Sequence, residues 1–244
     1  MFKQIKVRHV PEEIFELIKA AIETGQIKPG EKLPTEKEFV NALGVSRVPI
    51  REALKLLANA GYIETVQGDG SYVRSVLADQ LQDPLKRIVK DNVEKMFELL
   101  EVRKEIEAWT AYYAALEATD ADLANLHNLA EKIEKRFKKT GKVPSNLDID
   151  FHLRIAQSSS NTIRAHLFHT IIHSTFSDYF NLTIDTISRN REFLQLICDQ
   201  HLQIYDAISC HSPEGARDAV SQHLTFVAEA LRKQMRSDSA WIVC

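Results

Sequence analysis

Residues 33–61 hold two short helical patterns joined by a glycine, and this stretch constrains the fold more than any other part of the sequence. Thr35, with Glu38 three residues later, has the pattern of a capping box, which predicts the start of the first helix. Gly44 provides the turn, and Ser46 is a good N-cap for the second helix. An apolar stripe at i, i+3, i+4, i+7 and i+8 spacing predicts the inward face of that second helix: Ile50, Ala53, Leu54, Leu57 and Ala58.

Two arginines, Arg47 and Arg51, lie one turn apart near the start of the second helix and outside its apolar stripe. A helix-turn-helix presents this end of its second helix to base edges and phosphates in the major groove of DNA. The alternative is that both arginines are solvated surface charges, as they are in many helices. Their position directly after a capped helix and a turn favours DNA binding.

The residues on either side complete a winged helix-turn-helix pattern. An amphipathic helix is predicted over 10–24, and two strand-like runs, 62–66 and 71–73, enclose a glycine-rich tip at 67–70. Helix, helix-turn-helix and hairpin follow one another in the order of a winged domain. The glycines of the tip would let its backbone approach DNA closely.

Composition adds weaker constraints. The chain has 244 residues, enough for two domains, and its formal net charge of −3 gives no overall basic signal for nucleic acid. Residues 1–74 carry a formal charge of +1 and the rest carries −4, which suits a DNA-binding module joined to another domain. Three cysteines without zinc-ribbon spacing predict reduced thiols in a cytoplasmic protein. Because no run of 18 apolar residues occurs, neither a signal peptide nor membrane association is expected.

From Pro84 onward the periodicity is helical and strand patterns are scarce. The predicted helices are 84–117, 120–139, 146–158, 161–182, 190–210 and 213–235. The fold class is therefore mainly α, an N-terminal winged helix-turn-helix domain plus a C-terminal antiparallel α-helical bundle. The predicted organisation is a DNA-binding domain at 1–76, a linker at 77–83, an effector-binding and dimerisation domain at 84–236 and a tail at 237–244.

Four side chains of the helical region have the spacing of a metal site. Asp148 and His152 are i, i+4 on one predicted helix and share a face. His201 and His223 lie on the last two predicted helices, each eleven residues from Ser212 in the turn between them. An antiparallel pair brings both to the same height, about 16 Å from that turn. A carboxylate and three imidazoles in a bundle core suit a divalent metal ion, zinc or nickel before manganese or iron. Taken singly, each histidine would more commonly be a hydrogen-bonded residue than a ligand.

The segments KPGEKLPTEKEFVNALGVSRVPIREALKLLANAGYIE and VQGDGSYV closely resemble the DNA-binding domain of GntR-type bacterial transcription regulators. The resemblance covers about residues 12–74. Carried over by position, it implies DNA contacts for four residues that match the family pattern: Ser46, Arg47, Arg51 and Gly68.

Two further DNA-facing positions depart from that pattern. Lys37 stands where many members have arginine, and Val48 stands where many have threonine. Lysine can still hold a phosphate but lacks the bidentate fork of arginine. Valine offers only an apolar contact, for instance to a thymine methyl group.

The segment DIDFHLRIAQSSSN at 148–161 is similar to a signature of GntR regulators that carry the all-helical, FadR-type ligand-binding domain, called FCD. In many members of that group the matching Asp and His, with two later His, bind a metal at the floor of the effector pocket. The resemblance implies the same role for Asp148, His152, His201 and His223.

The same resemblance implies effector contacts. The family pattern E-x-R-x-x-x-E is present as Glu101, Arg103 and Glu107, and Arg103 is the expected counter-charge for an effector carboxylate. The alternative for Arg103 is an intrahelical pair with Glu107 at i+4. Asn161 is expected either to line the pocket or to cap the next helix.

These observations predict a DNA-binding transcription regulator, not an enzyme, that senses a small carboxylic-acid metabolite at a metal-containing pocket. One winged domain reads only a half-site, so a homodimer on a near-palindromic double-stranded operator is expected. Three alternatives stay open: a regulator for which the metal is itself the signal, a metal-dependent hydrolase, and a metal-free polar cluster.

Overall fold

The computed structural model describes residues 10–75, 87–88, 92–172 and 191–239, except for the side chains of 93 and 234–239. The chain divides into two compact units, residues 1–79 and 80–244. The predicted helices 84–117 and 161–182 lie partly outside the described residues, the predicted linker lies wholly outside them, and so does part of the predicted tail.

The first unit has the predicted order of elements. Its helices and strands are α1 (Val10–Glu23), α2 (Glu36–Leu43), α3 (Arg47–Asn59), β1 (Ile63–Val66) and β2 (Gly70–Val73). The two strands pair antiparallel, with Ile63 opposite Val73 and Val66 opposite Gly70. The buried core is formed by all five elements and the segment before α2: Ile14, Ile18, Ile22, Leu33, Phe39, Ile50, Ala53, Leu57, Ile63 and Val73.

The capping chemistry of the helix-turn-helix is largely as predicted. The Thr35 side chain accepts a hydrogen bond from the Glu38 backbone N–H at 3.3 Å, and the Glu38 carboxylate accepts one from the Thr35 backbone N–H at 2.7 Å. Gly44 ends α2 with φ 67°, a left-handed conformation that glycine adopts without a Cβ clash. Ser46 occupies the N-cap position of α3, but its side chain makes no capping hydrogen bond. The expected contribution of its hydroxyl to the helix end is therefore absent.

The second unit is helical throughout its described elements. They are α4 (Val93–Glu117), α5 (Asp120–Thr140), α6 (Ser145–Gln157), α7 (162–172), α8 (Arg191–Ser209) and α9 (Pro213–Ser239). Helix α9 continues four residues past its predicted end at 235. Short connections, such as 118–119 between α4 and α5 and 210–212 between α8 and α9, make successive helices antiparallel.

Helix α4 lies at the centre of this unit, against α6, α8 and α9. Its apolar residues are spread around the whole helix instead of forming one stripe, as expected for a helix with packed surfaces on several sides. The main core includes Ala111, Ala114, Leu126, Ile133, Phe137, Phe151, Leu194, Ile204 and Val220. Within the ranges given above, every helix is too short or too polar to span a bilayer.

Candidate metal centre and DNA-binding surface

The four predicted metal ligands come together inside the helical unit. Helix α6 carries Asp148 and His152, α8 carries His201, and α9 carries His223. Each residue is at most 3% exposed. The i, i+4 spacing on α6 and the antiparallel pairing of α8 with α9 therefore place these side chains as the sequence spacing predicted.

The three imidazoles form a tight cluster. One ring nitrogen from each of His152, His201 and His223 lies within 4.8 Å of the others. Their ring centroids are 4.8 to 5.3 Å apart. The Asp148 carboxylate faces two of the rings, with Oδ1 at 3.2 Å from His201 Nε2 and Oδ2 at 3.8 Å from His152 Nε2. A carboxylate and imidazole nitrogens at these separations can converge on one cation.

The cluster leaves buried polar atoms without hydrogen bonds. Both ring nitrogens of His152 and both of His201 lack a hydrogen bond of normal geometry in the part of the chain that the structure describes. This holds although Nδ1 of His152 lies 2.8 Å from Glu107 and Nε2 of His201 lies 3.2 Å from Asp148. Buried polar atoms in folded proteins are nearly always satisfied. A cation bound by one nitrogen of each ring would satisfy that nitrogen, so the donor set fits a metal ion.

The protonation states also suit a cation. Burial lowers the pKa of His201 and of His223, so both imidazoles are neutral at neutral pH. Burial alone would raise the pKa of Asp148, but its contact with His201 and the neighbouring imidazoles bring that pKa well below its usual range. The neutral form of histidine and the ionised form of aspartate are the forms that bind metals.

Arg103, the predicted effector residue, is buried on α4 and forms an ion pair with Glu107 one turn later. Glu107 Oε2 in turn lies 2.8 Å from Nδ1 of His152. Burial raises the pKa of Glu107, but the neighbouring Arg103 and the contact with His152 outweigh this and lower it. The intrahelical pair expected as the alternative is thus present, and Glu107 links Arg103 to the histidine cluster.

Asn161 is exposed, and its side chain accepts a hydrogen bond from the backbone N–H of Arg164 at 2.9 Å. This contact caps α7, the second of the two predicted roles. Asn161 also lines an open cavity of about 720 Å³ together with Trp109, Ile163 and Arg164. None of the four candidate metal ligands lines that cavity.

Two contacts around the cluster were missed by sequence reasoning. Glu107 was recognised only as a partner of Arg103, and its approach to His152 required knowledge of how α4 packs on α6. Gln200 was not recognised at all, although its Oε1 lies 3.0 Å from Nδ1 of His223. Its only sequence signal is its position beside His201.

All six predicted DNA-contacting residues are exposed on the first unit: Lys37, Ser46, Arg47, Val48, Arg51 and Gly68. Val48 is 66% exposed. Arg51 makes a bidentate pair with Glu36, with N–O distances of 3.1 and 3.0 Å. Gly68, between β1 and β2, has φ 81°.

The tip of the hairpin is held by a small polar cluster that the sequence pattern did not predict. Asp69 accepts hydrogen bonds from Lys32 Nζ and from the Tyr72 hydroxyl, each at 2.6 Å. Lys32 also lies over the Tyr72 ring, and its Cε would be only 2.7 Å from a Cβ at Gly70. A side chain at position 70 would displace the end of Lys32, and the φ of 149° at this position favours glycine.

Comparison with known proteins agrees with both units. Residues 11–73 match the bacterial regulatory proteins of the gntR family, and residues 98–226 match the FCD domain. The chain belongs to the GntR family. As a GntR regulator it is a DNA-binding transcription regulator with an FCD effector domain, and the matched families and relatives are regulators instead of enzymes.

Three similar proteins illustrate the match. An Escherichia coli K12 regulatory protein named for the L-lactate dehydrogenase operon is 30% identical, over 93% of this chain and 88% of that protein. The transcriptional regulator LutR of Bacillus subtilis is 29% identical, over 86% of this chain and 95% of LutR. The solved structure of a Streptococcus agalactiae GntR protein is 27% identical with a TM-score of 0.53, and the match covers 90% of this chain and 99% of that one.

Proposed function

We propose that this GntR regulator binds a divalent metal ion, zinc or nickel, through Asp148, His152, His201 and His223, and that a small carboxylic-acid metabolite bound at this centre controls operator binding. The observation that carries the proposal is the buried group of three imidazoles and one carboxylate, with ring nitrogens that lack hydrogen bonds among the described residues. The charge of Glu107 is matched by Arg103, so the four ligands present one negative charge to a cation.

In this proposal the metal ion and the protein side chains have distinct roles. Asp148 and the three histidines hold the ion, which would offer its remaining coordination positions to a carboxylate. Arg103 is the effector-binding residue in this proposal, since a guanidinium can bind a planar carboxylate bidentately. Asn161 is the second proposed effector residue, at the open cavity that it lines and that none of the four metal ligands lines. The relative named for the L-lactate dehydrogenase operon supports a small hydroxy acid as the class of effector.

The DNA-binding role is assigned to the exposed end of α3 and the hairpin. In this proposal Arg47 and Arg51 read bases or phosphates in the major groove, Ser46 and Lys37 contact phosphates, and Val48 contacts an apolar base edge. Gly68 brings the hairpin backbone to the DNA. A homodimer, formed through the domain proposed at 84–236, places two such surfaces on a near-palindromic operator.

A direct test is metal analysis of the full chain purified without chelators. Wild type should retain about one ion per chain, and His201→Ala should lose it. His127→Ala is the matched control, because His127 is an exposed histidine of the same unit and should leave the ion in place. Metal-free wild type under these conditions would refute the proposed centre.

The effector part is tested separately by fluorescence anisotropy with operator DNA. Metal-loaded wild type should lose or gain operator affinity when lactate or a related carboxylate is added, and Arg103→Lys should shift the carboxylate concentration required. Unchanged operator affinity across a carboxylate panel would exclude metabolite control.

A second candidate is favoured by one observation, the buried pairing of Arg103 with Glu107. If the pairing with Glu107 prevents the Arg103 guanidinium from binding an effector carboxylate, the metal ion itself is the signal and no metabolite is needed. Chelation would then abolish or create operator binding in the absence of any metabolite, and readdition of Zn²⁺ would reverse the change.

A further inference from the structure

Gln200 connects two of the helices that form the histidine cluster. It precedes His201 on α8, and its half-buried side chain reaches across to α9, where Oε1 lies 3.0 Å from Nδ1 of His223. Gln200 has no place in the predicted ligand set. The hydrogen bond from this residue to a candidate metal ligand therefore needs a functional explanation.

The chemistry of that hydrogen bond determines the tautomer of His223. An amide oxygen can only accept, so Nδ1 of the neutral imidazole must carry the hydrogen. The lone pair then lies on Nε2, the ring nitrogen that remains for a metal. In metal sites of proteins, ligating histidines almost always donate their other N–H to an acceptor in this way.

His152 has a carboxylate in the corresponding position, although this contact lacks the geometry of a hydrogen bond. Its Nδ1 lies 2.8 Å from the Glu107 carboxylate, which can only accept, and its Nε2 is directed towards Asp148 at 3.8 Å. Two different helices, α4 and α8, thus supply an acceptor behind two different histidines. His201 has no corresponding acceptor among the described residues.

We propose that Gln200 is a positioning residue of the metal centre, which holds His223 in the tautomer that ligates through Nε2. This inference rests on the proposed metal-binding function. It concerns a residue that contacts no ion and acts through His223.

The test compares Zn²⁺ affinity of full-length variants by competition with a chromogenic chelator. Gln200→Met keeps the length of the side chain but removes the acceptor, and should weaken Zn²⁺ binding by about 10- to 100-fold. Gln200→Glu retains an acceptor at the same position and should bind Zn²⁺ at least as tightly as wild type. Gln203→Met, an exposed glutamine of the same helix, is the matched control and should leave affinity unchanged.

A second measurement does not depend on metal or on the behaviour of a variant. Long-range ¹H–¹⁵N NMR of the metal-free wild type should show His223 with its hydrogen on Nδ1.

Thermal unfolding of metal-free Gln200→Met should match that of wild type, since the proposed role concerns ligation and not core packing.

The outcomes separate this inference from the proposed function. Wild type that binds no Zn²⁺ refutes the metal centre and this inference with it. Wild type that binds Zn²⁺, with equal affinity in Gln200→Met, refutes the positioning role alone. Weakening of the same size in Gln200→Glu, or a hydrogen on Nε2 of His223, also overturns it.

Discussion

Replacing Arg103 alone should destabilise the helical unit more than replacing Arg103 and Glu107 together. The two side chains are 3% and 4% exposed and form an ion pair in the middle of α4. Removal of one partner leaves the other charge buried and uncompensated, which costs about 3–5 kcal/mol. Replacement of both by apolar side chains of similar volume, Arg103→Met with Glu107→Leu, removes both desolvated charges and should return stability to within about 1–2 kcal/mol of wild type.

The size of the effect makes it easy to measure. For a unit of this length, about 2–4 °C of melting temperature corresponds to each kcal/mol. Each single variant should therefore melt about 6–20 °C below wild type. Both tryptophans of the chain, Trp109 and Trp241, belong to the second unit, so tryptophan emission during thermal or urea unfolding reports on that unit alone.

The control is the exposed pair Glu131 and Lys135 on α5, which has the same i, i+4 spacing and a distance of 2.6 Å. Because water screens it, the corresponding double-mutant cycle should show coupling close to zero. All measurements use chelator, so that metal binding does not contribute. If the two single effects at Arg103 and Glu107 simply add in the double variant, the pair is not a coupled buried unit and the reasoning is wrong.

Three further predictions concern the remaining parts of the molecule. Metal at about 100 times its dissociation constant should stabilise the helical unit of wild type and of His127→Ala by about 2.7 kcal/mol in calorimetry, with no such shift in His201→Ala. Arg51→Ala should weaken operator binding by roughly ten- to a hundred-fold in anisotropy titrations, whereas Lys55→Ala, exposed on the same helix, should change it far less; equal losses would contradict the assignment of the reading surface. Thr119→Ala removes the capping box at the start of α5 and should cost about 1 kcal/mol by urea unfolding, so an unchanged midpoint would show that the cap contributes nothing.

Local sequence signals predicted the first unit well because its determinants are local. The capping box at Thr35, the turn at Gly44 and the stripe on α3 depend on neighbours a few residues away, and all of them are present. The missing capping bond at Ser46 shows the limit of this reasoning. A residue type fixes what a side chain can donate or accept, but its rotamer depends on surroundings that a pattern does not contain.

The histidine cluster was predictable for a different reason. Helix periodicity and the short turn at Ser212 set the heights of His201 and His223, and i, i+4 spacing set the faces of Asp148 and His152. These geometric rules act over one helix or one hairpin of helices. They bring the members of each pair together, and the resemblance to the GntR regulators implied that the two pairs form one site.

Packing between helices that are distant in sequence settled the rest. Glu107 meets His152 because α4 packs on α6, and Gln200 meets His223 because α8 and α9 lie side by side in one particular rotation. A glutamate or glutamine on a helix has no pattern that reveals which partner it will face. The residue types that can bind a metal are therefore visible in the sequence, whereas the acceptors that orient those ligands, and the charge balance that keeps them buried, arise from long-range packing.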